Sequence, residues 1–399
     1  MGETGSEATS STTSDGAPTS IGGATIGTSS DGSGTGGTET GGESSSGEAA
    51  DEWTMEGPST CGPPCPVTWV LDDWRHINAG DDLSQYECLT RITGSLSITG
   101  EIPPDSLAVF ANLQETGTWF SFGNNTLVTD MTPFACLRET EALMLDALPG
   151  LVDASALSGL RSASRVEILD TALPALPAFA ADFAGIEYLN VSHNPQLEDL
   201  GSAAEWPVLA SLDVSFYDNE ALASVEPLAG LFAAHPDDFR LSLGELPALT
   251  DLAGLEPIRS GWVSLHDLPL VTSLAPLVGL ESVEVLYLHT LPGVGSLAGL
   301  EGLVSVGSLS LGLCTEFGLE DHGLPMLTSL AGLDGLQAVG DLRIRGNAGL
   351  MDLSGAPSLM TMQHLEIVGN PQLTPEDFFA FTGMLTPPVE KQFDVECDE

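Results

Sequence analysis

Short pairs of the form apolar-x-apolar recur along this 399-residue chain at an almost constant interval. Twelve of them are Leu96/Ile98, Phe120/Phe122, Leu143/Leu145, Val166/Ile168, Leu189/Val191, Leu212/Val214, Leu241/Leu243, Val263/Leu265, Leu286/Leu288, Leu309/Leu311, Leu342/Ile344 and Leu365/Ile367. Seven of the eleven spacings are 23 residues and the others are 22, 24, 29 and 33. A unit this small cannot bury its own apolar face, so copies must stack on one another, which constrains the chain to a repeat solenoid. The repeat runs from about residue 90 to 370, so the length describes one elongated domain rather than two or three ordinary ones.

Within one unit, apolar residues fall at 263, 265, 268, 271, 274, 277, 280 and 283. The step of two belongs to a strand with alternate side chains facing in, and the step of three to tight 3₁₀-like turns on the way back. The expected fold is an α/β-type repeat solenoid: a single parallel sheet of about 12 short strands with 3₁₀ or turn return segments and a disordered N-terminal tail. Five residues after the first member of a pair stands Asn or Leu, usually followed by Pro, as in Asn194-Pro195, Asn370-Pro371, Leu148-Pro149, Leu246-Pro247, Leu268-Pro269 and Leu291-Pro292, with Asn125 and Asn347 also in register. A buried Asn there can bond the turn backbone of its own and the next rung, and Pro costs nothing where no ladder N–H is required, so these asparagines read as structural.

The phrases LPALTDLAGL, LPLVTSLAPLVGL and LPGVGSLAGLEGL are similar to bacterial leucine-rich-repeat proteins, and CLTRITGSLSITG and LQAVGDLRIRGNAGL resemble the receptor L-domain. The resemblance covers residues 65 to about 397. It implies a parallel-sheet solenoid, binding of varied partners and no shared catalytic residues. The L-domain pattern also has a cysteine just ahead of its first Ile-x-Gly-x-Leu-x-Ile strand, and Cys88 before Ile92 to Ile98 fits that place.

The expected layout is a Gly/Ser/Thr-rich tether over 1–58, a cysteine-bearing N-terminal cap over 59–95, the solenoid over 96–370 and a C-terminal cap over 371–399. The first 50 residues hold 34 Gly, Ser and Thr and no Lys or Arg, too little apolar surface to offset chain entropy. In the C-terminal cap, Thr374-Pro375-Glu376-Asp377 reads as the start of a short helix, and FDVEC as a last strand tied by Cys397. Six cysteines, Cys61, Cys65, Cys88, Cys136, Cys314 and Cys397, lean towards disulfides in an oxidising compartment. Cys65 and Cys88 bracket the segment before the first repeat and are the expected pair, with Cys61 able to compete for either. Two long spacings predict surface insertions, at LCTEFGLEDHG and LFAAHPDDF.

With 57 acids against 10 bases the formal charge is −47, a field that repels nucleic acid and anionic membranes and favours a monomer. No run of about 18 apolar residues can span a bilayer. The tether and the cysteines suggest an extracellular or cell-surface protein, lipid-anchored or exported through an upstream segment.

If the pairs face inward, the residues before, between and after them form an outward face. Arg165, Arg240, Arg343, Arg345, His266, His289 and His364 fall there, seven of the chain's seventeen Arg, Lys and His, where random placement would put one or two. Five of 57 acids do so, Asp146, Glu167, Asp213, Asp341 and Glu366, close to chance. Trp119, Tyr188, Trp262 and Tyr287 join them, with Trp262, His266, Tyr287 and His289 on adjacent rungs. The expected binding face is therefore Trp119, Tyr188, Arg240, Trp262, His266, Tyr287, His289, Arg343, Arg345 and His364, and its partner a protein or carbohydrate. His266 and His289 lack a third metal ligand in register, and no cofactor is implied. Asp146 and Glu167 are the nearest approach to a catalytic carboxylate pair for a polysaccharide-degrading β-helix; a structural envelope component without a discrete site is the other alternative.

Overall fold

The computed structural model describes residues 53–56, 61–234, 237, 239–314, 322–383, 385 and 390–394. Asp51–Glu399 forms one compact unit. Its main sheet has 14 strands in strict chain order, from Arg75–Asn78 at one edge to Glu390–Asp394 at the other, and every pairing in it is parallel. The twelve expected strands are all present. Two more stand at the ends, because Ile77 and Phe393 each supply an inward side chain without completing the apolar-x-apolar template.

The turn from Val263 shows why the sequence folds this way. Val263, Leu265, Leu268, Val271, Leu274, Leu277 and Leu280 have no exposed surface, and Val283 only 4%. Each fully buried aliphatic side chain contributes about 1.5–3 kcal/mol by leaving water. The step-of-three stretch returns through a 3₁₀ turn, Ala275–Gly279, as do Ser155–Gly159 and Gly201–Glu205 in earlier rungs.

From Trp119–Gly123 onward, the strands with described exits leave through a left-handed residue. Asn124, Ala147, Asp170, His193, Asp218, Glu245, Asp267 and Thr290 all have φ between 46° and 58°, and Gly346 and Gly369 take the same place in the last rungs. An L-residue pays about 1–2 kcal/mol for this conformation. The return is a bond into the neighbouring rung: His193 N–H donates to the Tyr217 carbonyl at 3.0 Å, Asp218 N–H to Gly244 at 3.1 Å and Asp267 N–H to His289 at 3.3 Å.

The buried asparagines follow one residue later. Asn370 donates from Nδ2 to the Ile344 and Val368 carbonyls, both 2.8 Å, and its Oδ1 accepts from Asn347 N–H and Nδ2, both 3.1 Å. Asn194 and Asn219 form a second such stack, with Asn219 Nδ2 donating to the Val191 and Tyr217 carbonyls.

Asn219 exposes a correction to the repeat template. In strand Val208–Tyr217 the neighbours align Leu189 with Val214 and Val191 with Phe216, and Val214 and Phe216 with Leu241 and Leu243. The inward pair of that rung is Val214/Phe216, not Leu212/Val214. Leu212, Val214 and Phe216 are all buried, so the alternating pattern fits at two offsets.

The expectation of a single sheet also needs correction. Trp53–Glu56, Thr68–Leu71, Leu89–Ile92 and Glu115–Thr116 form a second, four-stranded sheet on the return side of the first turns. Parallel bridges Glu115–Glu139 and Glu139–Ser162 carry its line two turns further. Disulfides Cys65–Cys88 and Cys61–Cys136 clamp the same region, with Cα–Cα distances of 5.7 and 5.8 Å. Cys61 thus does not compete for Cys65 or Cys88. Cys314 is also disulfide-bonded, and Cys397 lies outside the described residues.

The insertion around LFAAHPDDF is described in part. Its first residues belong to the helix Ala229–Ala234, packed on the return side with Leu231 and Phe232 buried, because those side chains are too apolar to leave in water. Most of the other insertion, 315–321, lies outside the described residues. At the C-terminal end the helix Pro375–Thr382 starts with a capping box, Asp377 N–H donating to Thr374 Oγ1 at 3.3 Å and Thr374 N–H to Asp377 Oδ2 at 3.0 Å. Its Phe378 meets Phe393 of the last strand at 4.9 Å between ring centroids.

Candidate functional site

Because strand side chains alternate, the parallel register sorts the outward residues into three lanes that run across the rungs about 4.8 Å apart. The lane preceding the inward pairs carries Trp119, Ala142, Arg165, Tyr188, Asp213, Arg240, Trp262, Val285, Ser308, Asp341 and His364 in that order. The middle lane includes Glu167, Tyr287, Arg343 and Glu366, and the third lane Tyr217, His266, His289 and Arg345.

Rungs Phe239 to Leu311 bring the expected residues together most closely. Trp262 meets Tyr287 edge to face at 6.0 Å between centroids, and Tyr287 stacks on His289 at 5.6 Å. His266 lies opposite His289 in the ladder and turns the other way, over Gly244, to reach Tyr217 at 5.8 Å. Gly244 makes that path available: a Cβ there would sit 2.0 Å from His266 Cε1. Tyr217 in turn meets His193 at 5.8 Å. The ring contacts thus form two groups, Trp262–Tyr287–His289 and His266–Tyr217–His193, which adjoin where His266 and His289 stand opposite each other in the ladder, and the second includes two residues the repeat template missed. Tyr217 was hidden by the two-residue offset in its rung; the left-handed Asp218 and the following Asn219 are the signals that would have found it.

The electrostatics of the cluster are set by burial. His289 has its pKa pushed down to about 4, first by loss of solvent and then by His266, Arg345 and His322, with Asp267 opposing. It is a neutral imidazole at physiological pH, 3.3 Å from Ser310 Oγ, and acts through hydrogen bonding and ring stacking. Tyr217 is pushed up to about 12, chiefly by its hydrogen bond to Glu245, and stays a phenol. His266 Nδ1 lies 3.2 Å from Asp267 Oδ2. Among the described residues no group of three or more His, Cys, Asp or Glu is placed to hold a metal ion.

The remaining face residues are not part of this cluster. Arg345 is held by Glu366 in a two-pronged ion pair at 2.7 and 2.5 Å, and Arg343 bonds Asp341 at 3.1 Å and Ser308 at 3.1 Å. Two positive and two negative charges cancel, so this end is no basic patch. Arg165 covers the ring of Tyr188, 3.6 Å above its centroid, and bonds Glu167 at 2.5 Å. Burial raises the pKa of Tyr188, with Glu167 and Asp213 adding to it against Arg165. Burial likewise raises Asp213, against Arg240 and Arg165. His364 stands beside Asp341 in register, its Nδ1 buried and, among the described residues, without a hydrogen-bond partner. Arg240 is exposed and, among the described residues, makes no hydrogen bond or ion pair. Trp119, 49% exposed, stands several rungs away.

The class that this fold defines is the leucine-rich-repeat solenoid: one parallel strand per turn, a buried leucine lattice and stacked asparagines at the strand exits. No family model matches the chain, and no curated protein matches it in sequence. Among solved structures it is similar to the TLR13 chain of a TLR13–ssRNA13 complex, at 16% identity over 81% of this chain and 54% of that one, TM-score 0.38. The chain thus spans about half the length of that relative. It is also similar to an internalin, inlF, of Listeria monocytogenes, at 16% identity over 78% of this chain and 89% of that one, TM-score 0.36. The class rests on the chain's own ladder rather than on these likenesses.

Proposed function

We propose that this protein is a non-enzymatic recognition module, secreted or displayed at a cell surface, that holds a protein or glycan partner on its strand face. The observation that carries the reading is the contiguous aromatic and histidine cluster Trp262, Tyr287, His289, His266 and Tyr217, which sits on a rigid sheet. Amphipathic rings on a fixed scaffold bind at small entropic cost, and their polar edges set orientation. The formal charge of −47 argues against nucleic acid as the partner. Two disulfides in the first turns support an oxidising compartment.

Of the carboxylates that a glycosidase reading would use, one is already engaged and the two do not face each other in register. Glu167 is occupied by Arg165, and Asp146, raised by burial and by Asp170 and Glu167, stands in a different lane. The test is a pull-down from envelope extracts and a glycan array with the whole chain, run beside Trp262→Ala/Tyr287→Ala shown by circular dichroism to be folded. Saturable binding lost in the variant supports the reading; a ligand retained equally by both proteins sinks the proposed face.

A further inference from the structure

The lane that precedes the inward pairs extends beyond the expected site. Arg75 pairs with Leu96, and Leu96 with Phe120, so the residues before them, Trp74, Ser95 and Trp119, continue the same line to the first rung. Trp74 is 63% exposed and Trp119 49%, with a single small residue between them. Trp74, Trp119, Tyr188 and Trp262 thus stand in one row, two, three and three rungs apart, which at the parallel-strand spacing is roughly 10, 14 and 14 Å.

Resting on the recognition reading above, we propose that this row is the binding track for a linear, uncharged polysaccharide lying along the solenoid. Three properties of the row point there. Its aromatic groups are separated and aligned, Trp74 and Trp119 exposed and Tyr188 and Trp262 half-buried on the outward face, so they suit successive rings of a repeating polymer; a protein hot spot needs a single desolvated pocket, which an open lane does not form. The groups between them are small or hydrogen-bonding: Ser95 between the tryptophans, Ala142 and then Arg165, whose guanidinium lies over the Tyr188 ring, and Asp213 and Arg240 before Trp262. Arg240, with no ion pair among the described residues, has its donors free for hydroxyl groups. The charges of the row also cancel, Arg165 and Arg240 against Asp213 and Asp341, inside a protein of formal charge −47. That body repels a polyanion, whereas an uncharged chain meets no field penalty.

Separate contacts along one polymer act as linked binding events, so affinity should rise steeply with chain length. The experiment is affinity gel electrophoresis of the full chain in hydroxyethyl cellulose, arabinoxylan and konjac glucomannan, with polygalacturonate as the charged contrast. At least one neutral polymer should retard the protein. Trp74→Ala/Trp119→Ala and, separately, Trp262→Ala should each weaken that retardation about tenfold or more, with circular dichroism unchanged because Trp74 and Trp119 are exposed and the half-buried Trp262 stands on the outward face, outside the leucine core. Retardation equal in wild type and both variants would overturn the track, and so would stronger retardation by polygalacturonate. A wild type that ignores every polysaccharide, yet holds a protein lost in Trp262→Ala/Tyr287→Ala, overturns the glycan track and leaves the recognition reading standing. Binding in neither assay removes both.

Discussion

In the first turns Phe110, Phe120, Phe122 and Phe134 meet ring to ring at centroid distances of 4.8–5.9 Å, backed by a second sheet and two disulfides. From Leu241 to Leu311 the same inward columns hold Leu, Ile and Val at almost no exposure, without a second sheet or a cross-link among the described residues. A middle rung has an identical neighbour on each side, so repeating one aliphatic lattice is enough. An end rung has one neighbour, and the missing half of its packing must come from something else. Repeat arrays generally meet this need with atypical terminal units; here the substitutes are large rings, extra strands and covalent bonds.

The largest effect that would test this contrast is expected at Phe134, which touches three of the rings. Phe134→Ala should cost about 3–5 kcal/mol, read as a lowered midpoint in thermal or denaturant unfolding. A cost under about 1 kcal/mol would mean that the aromatic cluster does not carry the N-terminal turns. Next, removing Cys61–Cys136 by a double Cys→Ser change should cost about 2–4 kcal/mol. Hydrogen exchange should then rise in residues 61–136 while the rungs between Leu241 and Leu311 keep their protection; a uniform rise would show that end and middle unfold as one unit. In the middle, Asn219→Ala should cost about 1–3 kcal/mol by leaving the Val191 carbonyl and the Asn194 N–H without their bonds. Asn219→Leu should be milder, since Leu148, Leu268 and Leu291 fill the equivalent place in other rungs.

The smallest effect concerns pH. His289 takes a proton less readily in the folded chain, at about 4, than at its ordinary 6.5. Between those values the unfolded chain binds the proton that the folded chain excludes. This contribution to stability is therefore complete above about pH 6.5 and declines as pH falls to about 4. In His289→Gln the stability profile should be flatter over that window, and an unchanged slope would remove His289 as its source.

The repeating middle was the most legible part of the sequence, because a position that meets the same neighbours in every rung keeps the same kind of residue. Legibility failed where that condition fails. Three alternating apolar residues, Leu212, Val214 and Phe216, left their rung with two possible offsets, and only the Asp218-Asn219 exit distinguishes them. The second sheet was not visible because strands as short as Glu115–Thr116 carry no periodic signal. The candidate site was legible at the level of lanes, since 23-residue spacing puts Trp262 and Tyr287 on neighbouring strands. Which groups are spent on each other was not: Arg345 and Glu366 both sit on the face, but their pairing depends on diagonal reach between strands. Trp74 went unplaced because its rung has Ile77 alone as an inward signal.

Cys61–Cys136 also fixes how the molecule answers to force. It joins points 75 residues apart in sequence. Tension applied to the chain ahead of Cys61 passes through the sulfur bridge to Cys136 and bypasses the rungs between, which form a closed covalent loop. Those residues hold about 250 Å of extended chain, and none of it can be drawn out while the bond is intact. A pull from that side is therefore delivered to the regular leucine lattice beyond Cys136, and opening Cys61–Cys136 would expose that chain to tension, apart from the 23-residue span that the nested Cys65–Cys88 bridge still closes.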